Sequence, residues 1–164
     1  MIKIFYTEDN AKDLTVFEKA EELTVEAEGW CTYNSMASRH IPYQSLANLK
    51  ALLKKAGHND LWLSIVEAIK PIDDRTDEGR TANLKTYAEA SMINFIHPIG
   101  HTSSNGAQCL FFPEAMLAWG WQCLIARLLG IMTSEYGRNY IVATHSLRFA
   151  DLVRKNADVE VITI

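Results

Sequence analysis

The sequence lacks the features that define several protein classes. It has three cysteines, Cys31, Cys109 and Cys123, at wide spacing and without a CxxC pair. Neither a disulfide framework nor a structural zinc cluster is therefore indicated. It also lacks an apolar run of about 18 residues, the length that spans a membrane, and its N-terminus has no apolar stretch typical of a secretory signal. We therefore expect a cytoplasmic protein without membrane contact.

Positive charge is also scarce. The 164 residues include 16 Lys and Arg against 20 Asp and Glu, a formal net charge of −4 at pH 7. This balance argues against direct nucleic-acid binding. Hydrophobic residues make up 48% of the chain, which is the globular average and excludes wholesale disorder. The length suits one domain, and we expect residues 1–164 to form a single one.

The hydrophobic pattern predicts an α/β fold with a parallel sheet flanked by helices. Residues 1–6 alternate apolar and polar side chains, as in a strand. Further strands are predicted at 109–112, 140–144 and 159–163, as neighbours in the sheet. Helices are predicted between them, the first from Pro113 to about Ile131. Strands that alternate with helices imply right-handed crossovers and parallel pairing.

A helical insertion is predicted at about residues 44–96. Ser45 and Asn59 each precede a run of apolar residues at helical spacing, and both residue types are favoured at helix N-termini. A third helix is expected from Thr81 to Phe95. The insertion therefore separates the first strand from the others.

The N-terminal part of the chain is acidic. Eight Asp or Glu residues lie between Thr7 and Gly29, in a stretch where apolar residues follow helical spacing. Such a charge run is typical of a solvated helix face. An alternative is an acidic surface that docks onto a basic partner, such as a DNA-binding protein.

The segment from Phe111 to Val153 carries two short motifs about 30 residues apart in a β-α-β context. Pro113-Glu114 follows one apolar strand, and Thr144-His145-Ser146 follows the next. The segment resembles the C-terminal half of ABC-type ATPases, in particular the overcoming-lysogenization-defect and RecF-like branch. The resemblance implies that His145 corresponds to the switch histidine that senses the γ-phosphate. It also implies that Glu114 corresponds to the Glu of the Pro-Glu pair.

Two weaker similarities lie upstream, in the order of that family. The segment 103–108 resembles the signature loop, which makes Ser104, Asn105 and Gly106 candidate binding residues. The segment 57–69 resembles the phosphate loop.

The sequence departs from the family where the chemistry requires specific residues. Trp62 and Leu63 replace the Gly-Lys pair that contacts the phosphates. Phe112 stands where an Asp would hold magnesium, and its apolar side chain cannot bind a hard cation. The resemblance, which covers residues 103–155, therefore implies a catalytically inactive ATPase-like module, and the sequence leaves any cofactor unknown.

Three interpretations remain open. The first is a small binding or inhibitor protein from a phage, plasmid or bacterial defence context. The second is a hydrolase or transferase that uses His97, His101 and His145, with or without a metal ion. The third is an unrelated α/β protein in which these short motifs recur.

Two tryptophans support the expectation that the protein binds a partner. Trp119 and Trp121 flank Gly120 in a predicted helix and therefore point to different sides. Apolar residues surround much of this helix, more than the stripe that one sheet covers. We expect a protein partner or a homodimer, with one tryptophan at the interface.

Overall fold

The computed structural model describes residues 1–26, 43–69, 95, 98–100 and 107–164. The chain divides into two compact units, one of Met1–Asn34 with Ser103–Ile164 and the other of Ser35–Thr102. The predicted insertion falls within the second unit. The single-domain organisation stays a prediction, and the helix expected at 81–95 lies outside the described residues except for Phe95.

The first unit is built on a four-stranded parallel sheet. The strands, in chain order, are β1 (Ile2–Tyr6), β2 (Ala107–Phe111), β3 (Asn139–Thr144) and β4 (Val159–Thr163). The predicted α/β fold with a parallel sheet is confirmed. The strands lie in the order β2-β3-β1-β4. Because β1 pairs with both β3 and β4, the three C-terminal strands are not consecutive neighbours, and that part of the prediction is wrong.

Helices precede and connect the strands. In chain order they are α1 (Asp13–Glu26), α2 (Tyr43–Lys55), α3 (Asn59–Ile69), α4 (Pro113–Met116), α5 (Trp119–Tyr136) and α6 (Leu147–Arg154). Among the described residues, none of these helices combines the length and apolar character that a membrane span requires.

The helix predicted from Pro113 to Ile131 is two helices. The backbone is extended at Leu117 (φ −115°, ψ 134°), and the Gln122 side chain donates a hydrogen bond to the Leu117 carbonyl at 2.8 Å. This bond satisfies a carbonyl that the break leaves without a helical partner. The second helix then ends at Gly137, whose left-handed backbone (φ 62°) is the usual helix C-terminal conformation.

The sheet buries both of its faces. On one face, Val16 and Ala20 of α1 pack against the sheet. The strand residues on this face alternate along each strand, because successive side chains point to opposite sides. The residues of the sheet that share this buried cluster are Phe5, Ala107, Cys109, Phe111, Ile141 and Ala143.

Helices α5 and α6 pack against each other, and α6 contacts β1, β3 and β4. Phe149 and Val153 of α6 are fully buried. Gly130 of α5 lies so close to the end of α6 that an added Cβ would be 2.4 Å from the carbonyl oxygen of Asn156. This position therefore has room only for glycine.

The connections place a topological switch point at the carboxyl edge of the sheet, the edge at which all four strands end. From β1 the chain goes to β2, and from β3 it goes in the opposite direction to β4. Right-handed crossovers in opposite directions lie on opposite faces of the sheet. The carboxyl ends of the adjacent strands β1 and β3 therefore flank a topological switch point, where α/β proteins bind ligands.

In the second unit, α2 and α3 form a helical hairpin. Gly57 has a left-handed backbone (φ 80°), and the His58 amide donates to the Leu53 carbonyl at 2.8 Å, which ends α2. The predicted start at Ser45 is two residues late. Among the described residues of this unit, the buried apolar side chains include Leu46, Leu49, Leu53, Leu61, Ile65, Ile69, Phe95 and Ile99.

Candidate functional site

His145 lies at the switch point, directly after β3. Its Nδ1 is 2.7 Å from the carbonyl oxygen of Thr7, which follows β1. Its Nε2 is 3.0 Å from Oδ1 of Asp13, the first residue of α1. Asp13 Oδ1 has no hydrogen-bond partner among the described residues, so this contact is an ion pair rather than an aligned hydrogen bond. The imidazole therefore connects the end of β3 to the end of β1 and the start of α1.

The partners of the ring constrain its protonation. A carbonyl oxygen only accepts hydrogen bonds, so Nδ1 of His145 must donate to Thr7. The contact between Nε2 and Asp13 is an ion pair only when the ring carries both protons. The bond to Thr7 therefore fixes the orientation of the ring. Both side chains are partly exposed, His145 at 23% and Asp13 at 34%.

Glu114, which lies just after β2, contacts the backbone of His145 at the end of β3. Its Oε1 accepts a hydrogen bond of 2.7 Å from the backbone N–H of His145. Its Oε2 is buried and has no hydrogen-bond partner within the described ranges. The structure therefore brings together two of the predicted catalytic residues, Glu114 and His145, although they are 31 positions apart.

Phe112 covers the imidazole. Its ring stacks on the His145 ring with centroids 4.4 Å apart and planes 7° from parallel. This stacking covers one face of the imidazole with an apolar ring. The Phe112 backbone is left-handed (φ 50°, ψ 57°), a conformation that costs a non-glycine residue about 1–2 kcal/mol. It is the one non-glycine residue with positive φ in the described part of the chain.

We expect Phe112→Gly to be more stable than Phe112→Ala by about 1 kcal/mol, since both lose the ring and only glycine removes the strain. Urea unfolding of the two variants measures this difference. At an ordinary backbone position alanine is the more stable residue. An alanine variant as stable as the glycine variant would therefore show that the position is unstrained.

The loop between β1 and α1 is acidic and internally hydrogen-bonded. The Asp9 side chain accepts a hydrogen bond of 2.9 Å from the Ala11 amide, at the start of the turn that precedes α1. Tyr6 donates its hydroxyl to Glu8 at 2.9 Å, and burial, followed by this bond, raises the pKa of Tyr6. Lys12 donates to the carbonyl oxygen of Ile164. We call Glu8, Asp9, Asp13 and Glu114 the acidic rim.

The two tryptophans lie in the first turn of α5, and both are half-buried. The Arg148 guanidinium lies 3.6 Å from the centroid of the Trp119 ring, a cation–π geometry that joins α5 to α6. The exposed large hydrophobic residues in the described ranges do not include a residue of α5. The apolar surface that motivated the predicted dimer is thus largely covered within the chain, and the dimer stays a prediction.

The remaining predicted site residues lie outside the described ranges. They are His97, His101, Ser104, Asn105 and Gly106. Within the described part of the chain, no group of three His, Cys, Asp or Glu side chains is arranged to hold a metal ion.

The segment predicted to resemble a phosphate loop has a different structure. A phosphate loop connects a strand to a helix, whereas residues 57 and 58 belong to a turn after α2 and residues 59–69 form α3. Trp62 and Leu63 lie within α3, where the backbone N–H groups bond along the helix and cannot surround a phosphate. The structure of this segment is therefore not that of a phosphate loop.

Sequence reasoning missed Thr7 and Asp13. Both are far from His145 in sequence, and Asp13 was counted only as part of an acidic run. A usable signal existed, because Thr7 follows a predicted strand and parallel strands end at a common edge. The ends of β1 and β3 could have been placed together if the neighbour of β1 had been known.

The fold and the site define a parallel α/β protein with a histidine and four carboxylates at its switch point. No protein-family model matches the chain, and no curated protein matches it.

Proposed function

We propose that the protein is a non-hydrolysing, ATPase-like binding protein that acts through protein contacts. The observation that carries this proposal is the occupation of the switch point by the chain's own groups. His145 is held at both ring nitrogens, and Glu114 is held by the His145 backbone. These contacts give His145 and one oxygen of Glu114 a role in holding the strand ends together.

The negative charge of the acidic rim at the switch point also disfavours nucleotide binding. Phosphate sites use glycine-rich backbone and a lysine, or a helix N-terminus with free N–H groups. Here Asp9 caps the turn before α1, Lys12 is bonded to Ile164, and the acidic rim repels anions. These features support a binding role without nucleotide hydrolysis. The phage, plasmid or defence setting is part of the proposal and rests on the sequence resemblance alone.

We expect the purified protein neither to bind nor to hydrolyse MgATP. Calorimetric titration should give no saturable heat, the Tm should not shift with MgATP, and phosphate release should equal that of buffer. The missing lysine and magnesium-binding Asp remove charge stabilisation that is worth several orders of magnitude in rate.

Phosphate release from a contaminating ATPase is recognised by comparing variants of the site, because such release does not depend on the substitution. Magnesium-dependent phosphate release that falls in both Glu114→Gln and His145→Ala, and persists in Arg154→Ala, would contradict the proposal. Arg154 is a suitable control because its ion pair with Asp151 is exposed. Release that is equal in all of these proteins comes from a contaminant and leaves the proposal standing.

A histidine-dependent hydrolase or transferase is the alternative. The observation in its favour is the partly exposed Asp13–His145 pair, since a carboxylate that orients a histidine is common in acid–base catalysis. Metal analysis separates the two functions. Stoichiometric zinc that is lost in His97→Ala would favour the enzyme.

A further inference from the structure

Strand β4 is an apolar strand that the rest of the chain leaves partly uncovered. It lies at one edge of the sheet and, unlike the other three described strands, has no buried residue. Three of its five residues are nevertheless valine or isoleucine, types that are usually buried. The strand at the opposite edge, β2, is buried at every residue. Exposure is therefore specific to the β4 edge and does not follow from a polar composition.

One face of β4 is only partly covered. Helix α1 packs on its face of the sheet over β2, at the edge opposite β4. Ile162 lies on the same face, because it pairs with Phe5, a member of the buried cluster beneath α1. Ile162 and Ile164 contact this cluster and yet are only partly buried. A strand added beside β4 would bury more of both side chains.

The outer edge of β4 also presents backbone groups that can pair. The Ile164 amide donates to the Tyr6 carbonyl at 2.9 Å, so the even-numbered residues of β4 direct their backbone groups towards β1. Because these groups alternate in direction along a strand, those of Val159, Val161 and Thr163 point away from the sheet. Within the described residues these groups have no hydrogen-bond partner. Such a row is a template for another strand.

The sequence of β4 suits pairing with a second copy of itself. Two identical edges pair antiparallel about a two-fold axis, with one residue of each copy facing itself on the axis. An axis at Glu160 would place two carboxylates directly opposite each other, which is destabilising. An axis at Val161 pairs all five residues of the strand. It places Glu160 opposite Ile162 of the second copy, and Val159 opposite Thr163.

The charge of Glu160 is compatible with this register. Its Oε2 lies 4.0 Å from Nζ of Lys3 in the same copy, on the side away from the axis because Lys3 belongs to β1. Each copy therefore brings its own cation to its own carboxylate, and no like charges face each other across the axis. The remaining pairs join valine, isoleucine and threonine, the β-branched types that favour strand pairing.

We propose that two copies of the chain join their β4 strands, antiparallel with Val161 on the axis, into one continuous eight-stranded sheet. The pairing satisfies the outward backbone groups of β4 and extends the cover of Ile162. Because the overlap is five residues long, the interface is at the small end of specific interfaces, and we expect a Kd on the order of 10 μM. This dimer differs from the one predicted through Trp119 and Trp121.

Disulfide trapping tests the register. In Val161→Cys the two new thiols face each other across the axis, with Cα atoms about 5.5 Å apart, within disulfide range. Mild oxidation should therefore give a covalent dimer on a non-reducing gel. Thr163→Cys is the matched control on the same edge, since its two copies would be about 13 Å apart, too far to bridge. It should cross-link no more than the unchanged protein, which measures cross-linking through the native cysteines.

Sedimentation equilibrium tests the interface without a cross-link. Val161→Lys places two like charges opposite each other on the axis and should raise the Kd at least tenfold. Leu14→Lys adds the same charge at an exposed position of α1 and should leave the Kd unchanged. Thermal unfolding verifies that both variants fold. If Val161→Lys fails to fold, the comparison of Val161→Cys with Thr163→Cys still decides.

Three results would overturn the proposal. The first is a monomer at concentrations up to about 200 μM with no cross-linking of Val161→Cys. The second is equal cross-linking of Val161→Cys and Thr163→Cys. The third is a dimer that survives Val161→Lys and dissociates in Trp121→Glu, which would assign the interface to α5. None of these results depends on MgATP, so the proposed function can fail or stand separately.

Discussion

Replacement of Gly130 by alanine should lower the free energy of unfolding by about 3 kcal/mol. The new Cβ would lie 2.4 Å from the carbonyl oxygen of Asn156, and the carbonyl carbon and Cβ of that residue are each at 3.1 Å. Backbone atoms cannot move aside as a flexible side chain does, so α5 and the end of α6 must separate. Chemical denaturation monitored by circular dichroism measures the loss.

Gly120 provides the matched control in the same helix. It is exposed, and an added Cβ would have no neighbour within 4 Å. Gly120→Ala should therefore raise stability by about 0.5–1 kcal/mol, the usual gain of alanine over glycine in a helix. Equal effects at Gly120 and Gly130 would show that α5 does not approach Asn156 as closely as described.

His145→Ala should destabilise the first unit by about 2 kcal/mol. The substitution removes the ring donor to the Thr7 carbonyl, the ion pair with Asp13 and the stacking on Phe112. The hydrogen bond to Glu114 uses the backbone N–H of residue 145 and can persist, so the variant reports on the ring alone. The free energy of unfolding in urea is the measured quantity.

A double-mutant cycle with Asp13→Ala separates the ion pair from the other contacts of the ring. Because both partners are partly exposed, we expect a coupling energy of about 1 kcal/mol or less. Arg154→Ala, which breaks the exposed pair with Asp151, should cost less than His145→Ala. If the two substitutions have the same effect, His145 does not hold the strand ends together.

Local patterns predicted most of the elements in the first unit. The alternation in residues 1–6 and the apolar run at 109–112 marked strands, because a strand buried by helices needs side chains of that pattern. The break at Leu117 could not be predicted, since apolar residues continue at helical spacing and neither glycine nor proline occurs there. The hydrogen bond from the Gln122 side chain to the Leu117 carbonyl accompanies the break, and the apolar pattern does not signal it.

The order of the strands was beyond local reasoning. Alternating strands and helices imply parallel pairing. They do not determine which strands become neighbours when a long connection crosses the sheet. As a result, His145 and Glu114 could be selected from short motifs, whereas Asp13 could not. Phe112 was interpreted only as a missing magnesium ligand, because stacking on His145 depends on a left-handed backbone that the sequence does not signal.

The central position of β1 affects how the chain folds as it is synthesised. In the sheet β1 pairs with β3 and β4, which are synthesised after it and after the whole second unit. Until then both edges of β1 lack these partners, and closing the long intervening loop costs entropy before any pairing compensates it. The acidic residues that follow β1 keep this nascent segment charged, which opposes association with other chains during that interval.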